Sequence, residues 1–527
     1  MKISIEKQYL WLPVNMGSPE VKLNIYKDGS KVQEMDIHLA CEHVEYYVCM
    51  DVSKYQGEAL ELACQACDLE KCDIANRPDT PGVDRDLQPH IHFSPKTGWI
   101  NDPNGLVYAD GVYHLYCQYN PYGYEWGNMH WTHAVSKDLL TFEDQGVVME
   151  PDEYGTVYSG CAIKDEKNLL GYGKDTLLFY YTAAGGRNDW SKEAGNLFNQ
   201  RLAYSIDGGK TLIKSDLMLP YIVGENRDPK IFWHDEAQHY VCVLYLDEND
   251  FAIFVSSDLR HWEQTQKLTF PGMWECPDLM ELNVVNEADT KKWLFFSADG
   301  YYVTGDFDGR RFTASSEVQM AYATRLPYAA QSYSGITNAV VAVPWLRMNS
   351  HEGNFCGQMG MPMKLSLMKN KDSYQMVFCP VDSYENKMKS NLALEVNVNQ
   401  GTVVALDHRA GELEIAFDAE EMKAGVGKKI DIWFGNSHIC LDFEVMTAKV
   451  LSGNTRPLRE TNPEYLFDIQ PDVSLRLRVI VDNGSLEILA YDGTVYAALE
   501  AQKNLLKQKL YVESKEVLAS FTWKCCE

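Results

Sequence analysis

The heptapeptide SKDLLTF, residues 136–142, decides the fold because its pattern recurs along the middle of the chain. Each copy follows a short strand-like segment and places an aspartate in the turn that ends it. The four turn aspartates, spaced about 50 to 70 residues apart, are Asp138, Asp207, Asp258 and Asp308. Strands and a turn repeated at this spacing predict the blades of a β-propeller. The alternative is a series of unrelated hairpins with ordinary aspartate turns.

The segments on both sides of this repeat also alternate apolar and polar residues, as strands with one buried face do. Residues 1–85 form a predicted small β module. The proline-containing linker NRPDTPGVDRDLQP (residues 76–89) separates it from a predicted propeller at 86–375. Residues 385–527 predict a C-terminal β-sandwich, with hairpin turns at Asn483-Gly484 and Asp492-Gly493. The predicted fold class is therefore all-β.

The overall charge limits the classes of partner. The 527 residues carry a formal net charge of -27, and 45% of them are hydrophobic. A nucleic acid or an anionic membrane surface needs a basic footprint, so neither is an expected partner. A neutral substrate fits this charge better than a strongly anionic one. The 12% aromatic content suits a sugar-binding cleft, and it equally suits a strand-rich protein without one.

The 14 cysteines and the N-terminal sequence bear on location and metal binding. The first residues contain no apolar run of signal-peptide length, and no later stretch is long enough to span a bilayer. We therefore expect a cytoplasmic protein with free thiols. Cys64 and Cys67 could begin a zinc site, but Cys72 and His43 would both be needed to complete it. With ligand spacing this incomplete, we expect no metal.

Three acidic residues stand in unusual surroundings. Asp102 lies in GWINDPNG (residues 98–105), which is too polar and broken for a strand along its whole length and predicts a turn. Asp228 lies between Arg227 and a proline, and Glu275 lies between Trp274 and Cys-Pro. Taken singly, an Asp-Pro pair is more often a turn than a catalytic site. Glu275 has neither the surroundings of a usual turn residue nor those of a solvated face.

Cleavage of a glycosidic bond needs carboxyl groups in two protonation states: an ionised nucleophile and a proton donor for the leaving oxygen. Burial beside Trp274 and the negative charge of Asp102 would both favour the protonated form of Glu275. Arg227 should keep the neighbouring Asp228 ionised. Inner strands of successive propeller blades converge on one axial funnel, which would bring the three acids together.

The segments HFSPKTGWINDPNGLVY (92–108), RDPK (227–230) and WECPDL (274–279) resemble the three acidic motifs of glycoside hydrolase family 32. This is the family of invertases, inulinases, levanases and related fructosyl transferases. The likeness extends to CQYNP (117–121), to residues 126–142 and to YSGCA (158–162). Residues 1–85 are similar to a small β module found ahead of some gut-bacterial members.

The resemblance implies a five-bladed propeller followed by a β-sandwich, and a retaining double displacement that needs no cofactor and no metal. It implies that Asp102 is the nucleophile and Glu275 the acid/base. Asp228 would stabilise the transition state with help from Arg227. The residues implied to line the fructose pocket are Asn101, Gln118, Trp126, Ser159 and Arg227.

The function expected from these residues is release of terminal β-fructofuranosyl units from short fructans or sucrose. The alternatives are a sucrose or sucrose-6-phosphate hydrolase, a fructosyl transferase and a non-catalytic carbohydrate-binding propeller. A phosphorylated substrate would need a basic subsite, which Lys291 and Lys292 do not obviously supply. Loss of any one acid would favour the non-catalytic alternative, yet all three are present. The N-terminal module could bind sugar, extend the active-site rim or mediate self-association, and we favour a structural or assembly role, such as formation of a homo-oligomer.

Overall fold

A computed structural model describes residues 1–348, 353–399, 402–405, 410–424, 429–451, 464–501 and 509–526. The described residues are mostly strands, so the predicted all-β class is confirmed. The three short α-helices are α1 (Asp189–Ala194), α2 (Asp382–Lys387) and α3 (Ala419–Ala424). Among these residues, no helix has the length and apolar character needed to cross a membrane.

The N-terminal module contains two antiparallel sheets that enclose their own apolar core. The four strands of the first sheet, in spatial order, are β1 (Lys2–Ser4), β6 (Ala59–Ala63), β3 (Val21–Lys27) and β4 (Ser30–Ile37). The three strands of the second are β5 (Tyr46–Asp51), β2 (Tyr9–Val14) and β7 (Ala75–Arg77). The same apolar core also includes Tyr122 and Tyr124 from the central region, so the module packs directly on its neighbour.

Five antiparallel sheets follow in chain order between residues 98 and 380. The first is built from β8 (Gly98–Ala109), β9 (Val112–Asn120), β10 (His130–Ser136) and β11 (Phe142–Met149). The second is built from β12 (Thr156–Asp165), β13 (Thr176–Ala184), β14 (Asn199–Ser205) and β15 (Ile213–Leu219). The third is built from β16 (Arg227–His234), β17 (His239–Asp247), β18 (Asp250–Ser256) and β19 (Glu263–Thr269).

The last two sheets of this region carry additional short strands. The fourth contains β20 (Asp278–Asn283), β21 (Lys291–Phe296), β22 (Tyr301–Phe307), β23 (Phe312–Ala314) and β24 (Gln319–Met320). The fifth contains β25 (Pro327–Ser332), β26 (Val340–Leu346), β28 (Gln358–Met359), β29 (Met363–Asn370) and β30 (Ser373–Pro380). The strand β27 (Phe355–Cys356) instead pairs in parallel with Gly98 and Trp99 of the first sheet.

The repeat seen in the sequence is also a structural repeat. Each turn aspartate joins the third and fourth strands of its sheet: Asp138 between β10 and β11, Asp207 between β14 and β15, Asp258 between β18 and β19, and Asp308 between β22 and β23. In every case the carboxylate accepts hydrogen bonds from two backbone amides further along the turn. These amides lie two and three residues after Asp138, Asp258 and Asp308, and three and four residues after Asp207. These bonds satisfy the amides that the turn leaves without a strand partner.

The C-terminal region forms two groups of strands that share β41 (Lys509–Cys526). Its last residues pair with β31 (Met388–Asn399) and β33 (Gly411–Phe417), and its first residues pair with β32 (Thr402–Ala405) and β34 (Lys429–Phe434). The remaining strands are β35 (Ser437–Asp442), β36 (Thr447–Leu451), β37 (Glu464–Asp468), β38 (Leu475–Asp482), β39 (Ser485–Ala490) and β40 (Val495–Glu500). Parts of the predicted sandwich, residues 400–401, 406–409, 425–428, 452–463, 502–508 and 527, lie outside the described residues.

A fully buried charged cluster joins the start of the central region to the C-terminal strands. The two ring nitrogens of His92 lie 2.8 Å from Asp482 Oδ2 and 2.8 Å from Glu487 Oε1. The carboxylate of Asp482 also accepts hydrogen bonds from the backbone amides of residues 90–92. These contacts raise the pKa of His92 to about 10 against the opposing effect of burial. The cluster therefore holds an ion pair between two regions.

Candidate functional site

Asn101, Asp102, Ser159 and Asp228 lie where the first strands of their sheets depart from regular pairing, whereas Glu275 lies in the loop before β20. Register shifts interrupt β8 between Ile100 and Pro103, β12 between Val157 and Gly160, and β16 between Arg227 and Lys230. The first strand of the fifth sheet, β25, has the same kind of shift. Since β12 packs against both β8 and β16, and β25 packs against β8, these irregular segments face one another. Bulges of this kind redirect side chains and are frequent beside active sites.

The prediction that GWINDPNG forms a turn is wrong. Residues 98–105 lie in β8, which continues to Ala109. The bulge after Ile100 explains the pattern, because it accommodates the proline and polar residues without ending the strand. Asp102 is 9% exposed in this bulge. The strand continues before and after Asp102, so this residue is held by the sheet rather than by a loop.

A chain of buried amide and hydroxyl groups leads to Asp102. Asn101 Nδ2 donates to Gln118 Oε1 at 2.7 Å, and Gln118 Nε2 donates to Ser159 Oγ at 2.6 Å. Ser159 Oγ in turn donates to Asp102 Oδ2 at 2.7 Å. The structure thus brings together three of the predicted pocket residues around the first acid. Asn101 Oδ1 is buried without a hydrogen-bond partner among the described residues, so it is an acceptor available to a ligand.

Cys276 connects Asp102 with Asp228. Its Sγ lies 3.6 Å from Asp102 Oδ2 and 3.5 Å from Asp228 Oδ2. Its backbone amide also donates to Asp228 Oδ2 at 3.0 Å. Asp228 has a left-handed backbone with φ of 63°, and Glu275 and Cys276 have φ of 51° and 41°. Non-glycine residues in this region mark backbone held in place by its surroundings, as at many active sites.

Glu275 lies beside the same pair of acids. Arg227 Nη2 donates to Glu275 Oε1 at 2.6 Å, while Arg227 Nε lies 3.7 Å from Asp228 Oδ2. The second oxygen, Glu275 Oε2, accepts a 2.5 Å hydrogen bond from the hydroxyl of Tyr328. Arg227 also lies over the ring of Tyr245 at 4.6 Å. The three acids, Arg227 and Cys276 therefore form one connected cluster.

Burial governs the protonation of the two aspartates. Burial raises the pKa of Asp102 to about 6, with a contribution from the charge of Glu275, while the Ser159 hydrogen bond opposes the rise. Burial likewise raises the pKa of Asp228 to about 7, and the charges of Asp102 and Glu275 add to that rise. Arg227 lowers the pKa of Asp228, as predicted, but too little to keep it fully ionised at neutral pH. That prediction is corrected, because burial outweighs the cation.

The two tryptophans predicted near the site differ from expectation in their surroundings. Trp274 is 46% exposed, and the Glu275 side chain is 29% exposed, so Glu275 is less buried than the sequence predicts. Trp126 is 54% exposed, and its ring meets the edge of Tyr158 with centroids 6.3 Å apart. Tyr158 directly precedes Ser159, so Trp126 stands at the outer wall of the site rather than in its interior. An exposed aromatic wall suits the apolar face of a sugar.

A pocket lies among the bulged strands, beside Asp228 and Cys276. Its lining includes Ser159, Asp228, Cys276, Gln331 and Lys230. Lys230 is buried and lies 3.4 Å from Asp278, which neutralises its charge below the acids. Of the three acids, Asp228 is the one that lines this pocket.

Two residues that contact the acids have no sequence signal that would have singled them out. Tyr328 lies 53 residues after Glu275, in an ordinary strand segment. Cys276 is visible in WECPDL, but nothing in that motif shows that its thiol lies between two aspartates. Both contacts depend on how neighbouring sheets are placed.

Comparison with known proteins now decides the family. Residues 92–380, more than half of the chain, match the model for the glycosyl hydrolases family 32 N-terminal domain. The chain belongs to glycoside hydrolase family 32. The resemblance found in the three acidic motifs is thereby confirmed, and the protein is a glycoside hydrolase of the β-fructosidase type. Residues 1–79 match a domain of unknown function, DUF4980.

Relatives of this family 32 chain include levanase from Bacillus subtilis, 31% identical over 471 residues, which cover 80% of this chain and 67% of the levanase. The extracellular exo-inulinase of Aspergillus niger is 34% identical over 285 residues, 47% of this chain and 53% of the inulinase. The match thus spans about half the length of that relative. The crystal structure of exo-inulinase from Aspergillus awamori superposes with a TM-score of 0.74 over 85% of this chain and 99% of that chain, at 23% identity. This likeness supports the propeller and sandwich fold.

Proposed function

We propose that this chain is an exo-acting β-fructosidase that releases fructose from the ends of short fructans, or from sucrose, with retention of configuration. The observation that carries the proposal is the cluster in which Cys276 contacts Asp102 and Asp228 while Arg227 joins Asp228 to Glu275. Three carboxyl groups in one connected cluster provide a nucleophile, a proton donor and a group for the sugar hydroxyls. The similarity to a levanase and an exo-inulinase supports fructose as the sugar.

Asp102 is the proposed nucleophile. It is buried in a bulged strand, and its Oδ2 is oriented by Ser159. With a pKa of about 6 it is mostly ionised at neutral pH, as attack on the anomeric carbon requires. Its attack at C2 of the fructosyl unit would form a covalent fructosyl-enzyme as the bond to the leaving oxygen breaks.

Glu275 is the proposed acid/base. It would give a proton to the leaving oxygen and later take one from the water that attacks the covalent intermediate. To carry that proton, one oxygen of Glu275 must first lose the hydrogen bond that it accepts from Arg227 or Tyr328. Arg227 is the donor that can turn away, because it already lies 3.7 Å from Asp228. Asp228 would then be ionised by the same movement and would bind fructose hydroxyls.

Five sheets in chain order, with adjacent inner strands, support a five-bladed propeller that is followed by a β-sandwich and preceded by the module at 1–85. In this arrangement the pocket opens at one end of the axial funnel. Neither of the predicted lysines favours the phosphorylated substrate, since Lys291 pairs with Glu281 and Lys292 with Asp306. We therefore place unphosphorylated fructosides first.

A product analysis tests this function. The purified chain is incubated with sucrose, inulin, levan and short oligofructosides, and the products are separated over time. Free fructose as the sole early product is expected; a ladder of oligomers would show endo action, and larger new sugars would show transfer. Asp102→Asn should lose at least about a thousandfold in kcat, as loss of a covalent nucleophile does elsewhere. Retained turnover in that variant would contradict the assignment.

Retention is tested separately, because free fructose interconverts between anomers. With methanol added as acceptor, NMR of the early product should show methyl β-fructofuranoside alone. The α anomer would instead require an inverting mechanism, with water or methanol attacking from the opposite face.

A further inference from the structure

The wall of the pocket is carried by a loop that the N-terminal module holds. This rim loop, residues 121–129, connects Gln118 and the rest of β9 with β10 and has Trp126 near its middle. Trp126 contacts Tyr158, the residue beside Ser159. A displacement of the rim loop would therefore move the aromatic wall relative to Asp102.

The module binds the rim loop after Trp126 through one asparagine. The Nδ2 of Asn128 donates to the carbonyl of Asp36 at 2.7 Å, and its Oδ1 accepts from the amide of Asp36 at 2.8 Å. Asp36 belongs to β4 of the module. The same Nδ2 lies 3.1 Å from Asn120 Oδ1, which links the two ends of the rim loop. Asn128 has a φ of 45°, a conformation that asparagine tolerates better than most residues.

The module also contacts the rim loop before Trp126. Tyr124 stacks on Tyr46 with ring centroids 5.7 Å apart, and its hydroxyl lies 3.4 Å from Glu45. Gln33 is fully buried, and its Nε2 lies 3.4 Å from the hydroxyl of Tyr122. Both flanks of Trp126 are thus packed on residues of the module.

The same strand of the module reaches a second wall segment. The Glu34 carboxylate is 4% exposed and accepts a 2.8 Å hydrogen bond from the backbone amide of Asp189. Lys31 and Lys22 neutralise this buried anion. Asp189 begins α1, two residues after Arg187, whose guanidinium lies 5.8 Å from the ring centroid of Phe198. Phe198 packs on Tyr158, so this segment continues the wall that Trp126 begins.

We propose that β4 of the N-terminal module positions the aromatic wall of the sugar pocket and so sets substrate affinity, while the acids carry out the chemistry. Asn128 and Glu34 are positioning residues in this view, since they act through Trp126 and through the segment around Arg187. The proposal rests on the proposed function. It gives the module a role at the site without any contact between the module and the sugar.

The test variant is Asn128→Gly, because glycine keeps the left-handed backbone and removes only the side-chain bonds. We expect KM for a short fructan to rise about tenfold with kcat within about twofold, since two hydrogen bonds that order the wall are lost. The matched control is Asn15→Ala, which removes two side-chain hydrogen bonds that lie wholly within the module. This control should leave KM unchanged.

A double-mutant cycle shows whether Asn128 acts through Trp126. In a Trp126→Ala background, Asn128→Gly should have no further effect on KM. Additive effects in the cycle, or a fall in kcat at constant KM, would overturn the proposal. Hydrogen exchange is the readout that is independent of activity: Asn128→Gly should speed exchange in residues 121–129 and leave β8 unchanged. Unchanged exchange in the rim loop would overturn the proposal even if the wild-type chain hydrolysed no fructan.

A separate observation concerns the sulfur atoms of the same module. Three sulfur atoms, those of Cys41, Cys67 and Cys72, lie within 4.8 Å of one another, and the structure pairs Cys41 with Cys72 in a disulfide. Cys64 Sγ lies 3.3 Å from Cys67 Sγ. The sequence suggested Cys64, Cys67 and Cys72 as ligands but left the fourth position to His43. The fourth sulfur is that of Cys41.

We propose that the reduced module binds one Zn²⁺ through these four sulfur atoms. Four thiolates at about 2.3 Å around zinc form a tetrahedron. The sulfurs of Cys41, Cys67 and Cys72 already lie together, and Cys64, 3.3 Å from Cys67, would complete the set by moving toward the other two. Two-electron reduction of the Cys41–Cys72 bond by an added phosphine consumes one water molecule, which supplies the oxygen of the phosphine oxide and the protons of the two thiols. Binding then releases the thiol protons and leaves a site of net charge about −2.

Metal content and cobalt spectra test this site. Protein purified with the phosphine and dialysed against Zn²⁺ should hold about one zinc per chain, and Co²⁺ should give the intense thiolate charge-transfer band of a sulfur-rich tetrahedral site. Cys67→Ser should reduce bound zinc at least tenfold, while Cys49→Ser, in the neighbouring strand β5, should not. Less than a tenth of an equivalent in the reduced wild-type chain, or a Co²⁺ spectrum without the thiolate band, would overturn the proposal.

Discussion

The hydroxyl of Tyr328 donates a 2.5 Å hydrogen bond to Oε2 of Glu275, across 53 residues of sequence and between two neighbouring sheets. The ring of Tyr328 is itself fixed, since the guanidinium of Arg347 lies 4.2 Å from its centroid. Burial and the charge of Glu275 both raise the pKa of Tyr328, so the hydroxyl stays a donor over the working pH range. Glu275 is thus oriented by a residue outside the three acidic motifs.

Replacing that donor should slow the reaction. For Tyr328→Phe we expect kcat/KM to fall about tenfold to a hundredfold, because a hydrogen bond to a charged group is lost while the ring remains. Steady-state kinetics on sucrose or a short fructan measures the effect. The control is Tyr333→Phe, since that buried hydroxyl has no hydrogen-bond partner among the described residues. Equal losses in both variants would mean that packing, not orientation of Glu275, explains the effect.

The raised pKa of Asp102 predicts how activity depends on pH. Because the proposed nucleophile must be ionised, kcat/KM should fall as the pH drops below about 6. Ser159→Ala removes a hydrogen bond that lowers the pKa of Asp102, so this limb should move to higher pH. A pH profile of kcat/KM measures the shift. Ser94→Ala is the comparison, since Ser94 bonds the carbonyl of Gly357 instead; an equal shift there would argue against the assignment.

Arg227 should not be replaceable by lysine. Its guanidinium reaches Glu275 and Asp228 with different nitrogens, which one ammonium group cannot do. Arg227→Lys should lower kcat about a hundredfold. Arg227→Ala should raise the pKa of Asp228 further above 7 and leave that acid protonated at neutral pH. Steady-state kcat of the lysine variant and the pH dependence of kcat in the alanine variant check these outcomes; wild-type kcat in the lysine variant would contradict them.

The buried cluster of His92, Asp482 and Glu487 makes stability depend on pH. The pKa of His92 is raised to about 10, so its contribution is fully present below about 6.5 and is lost as the pH rises through 10. The pKa of Asp482 is lowered, so its contribution is lost as the pH falls below its usual value near 3.8. The melting temperature should therefore be constant between about pH 3.8 and 6.5, decline from 6.5 toward 10, and fall again below 3.8.

Removing the cation tests the same cluster directly. His92→Ala leaves two buried carboxylates without their partner and should cost about 3 to 5 kcal/mol of unfolding free energy. His261→Ala is the control, because His261 pairs with Asp258 at the surface and should have a small effect. Urea unfolding of both variants at pH 7 provides the comparison. A loss below 1 kcal/mol for His92→Ala would show that the pair does not couple the two regions.

The sequence identified the three acids, but it did not predict the local structure around them. Asp102, Asp228 and Glu275 stand out because proline, tryptophan and cysteine neighbours are unusual for solvated or turn acids, and the structure joins all three. The turn predicted at Asp102 was wrong because a bulge lets a polar, proline-containing segment stay within a strand. Local composition cannot distinguish a turn from a bulge, since both accommodate backbone groups that lack a hydrogen-bond partner in a neighbouring strand.

Contacts between distant segments could not be predicted from the sequence. Tyr328 contacts Glu275 only because the fourth and fifth sheets are neighbours. Similarly, the sulfur of Cys41 comes close to that of Cys67 only after the module folds. The exposure of Trp274 likewise depends on where the preceding loop lies. The repeated aspartate turns were predictable because each is satisfied by amides within four residues.

The parallel pairing of β27 with the first strand of the first sheet has a consequence for synthesis. The amide of Gly98 also donates a hydrogen bond to the carbonyl of Asn354 in this later segment. The ribosome makes Asp102 early, yet its sheet gains this edge strand only when residue 356 has emerged. A nascent chain stopped before that point lacks the strand that pairs with Gly98 and Trp99, so completion of the first sheet waits for synthesis of the fifth.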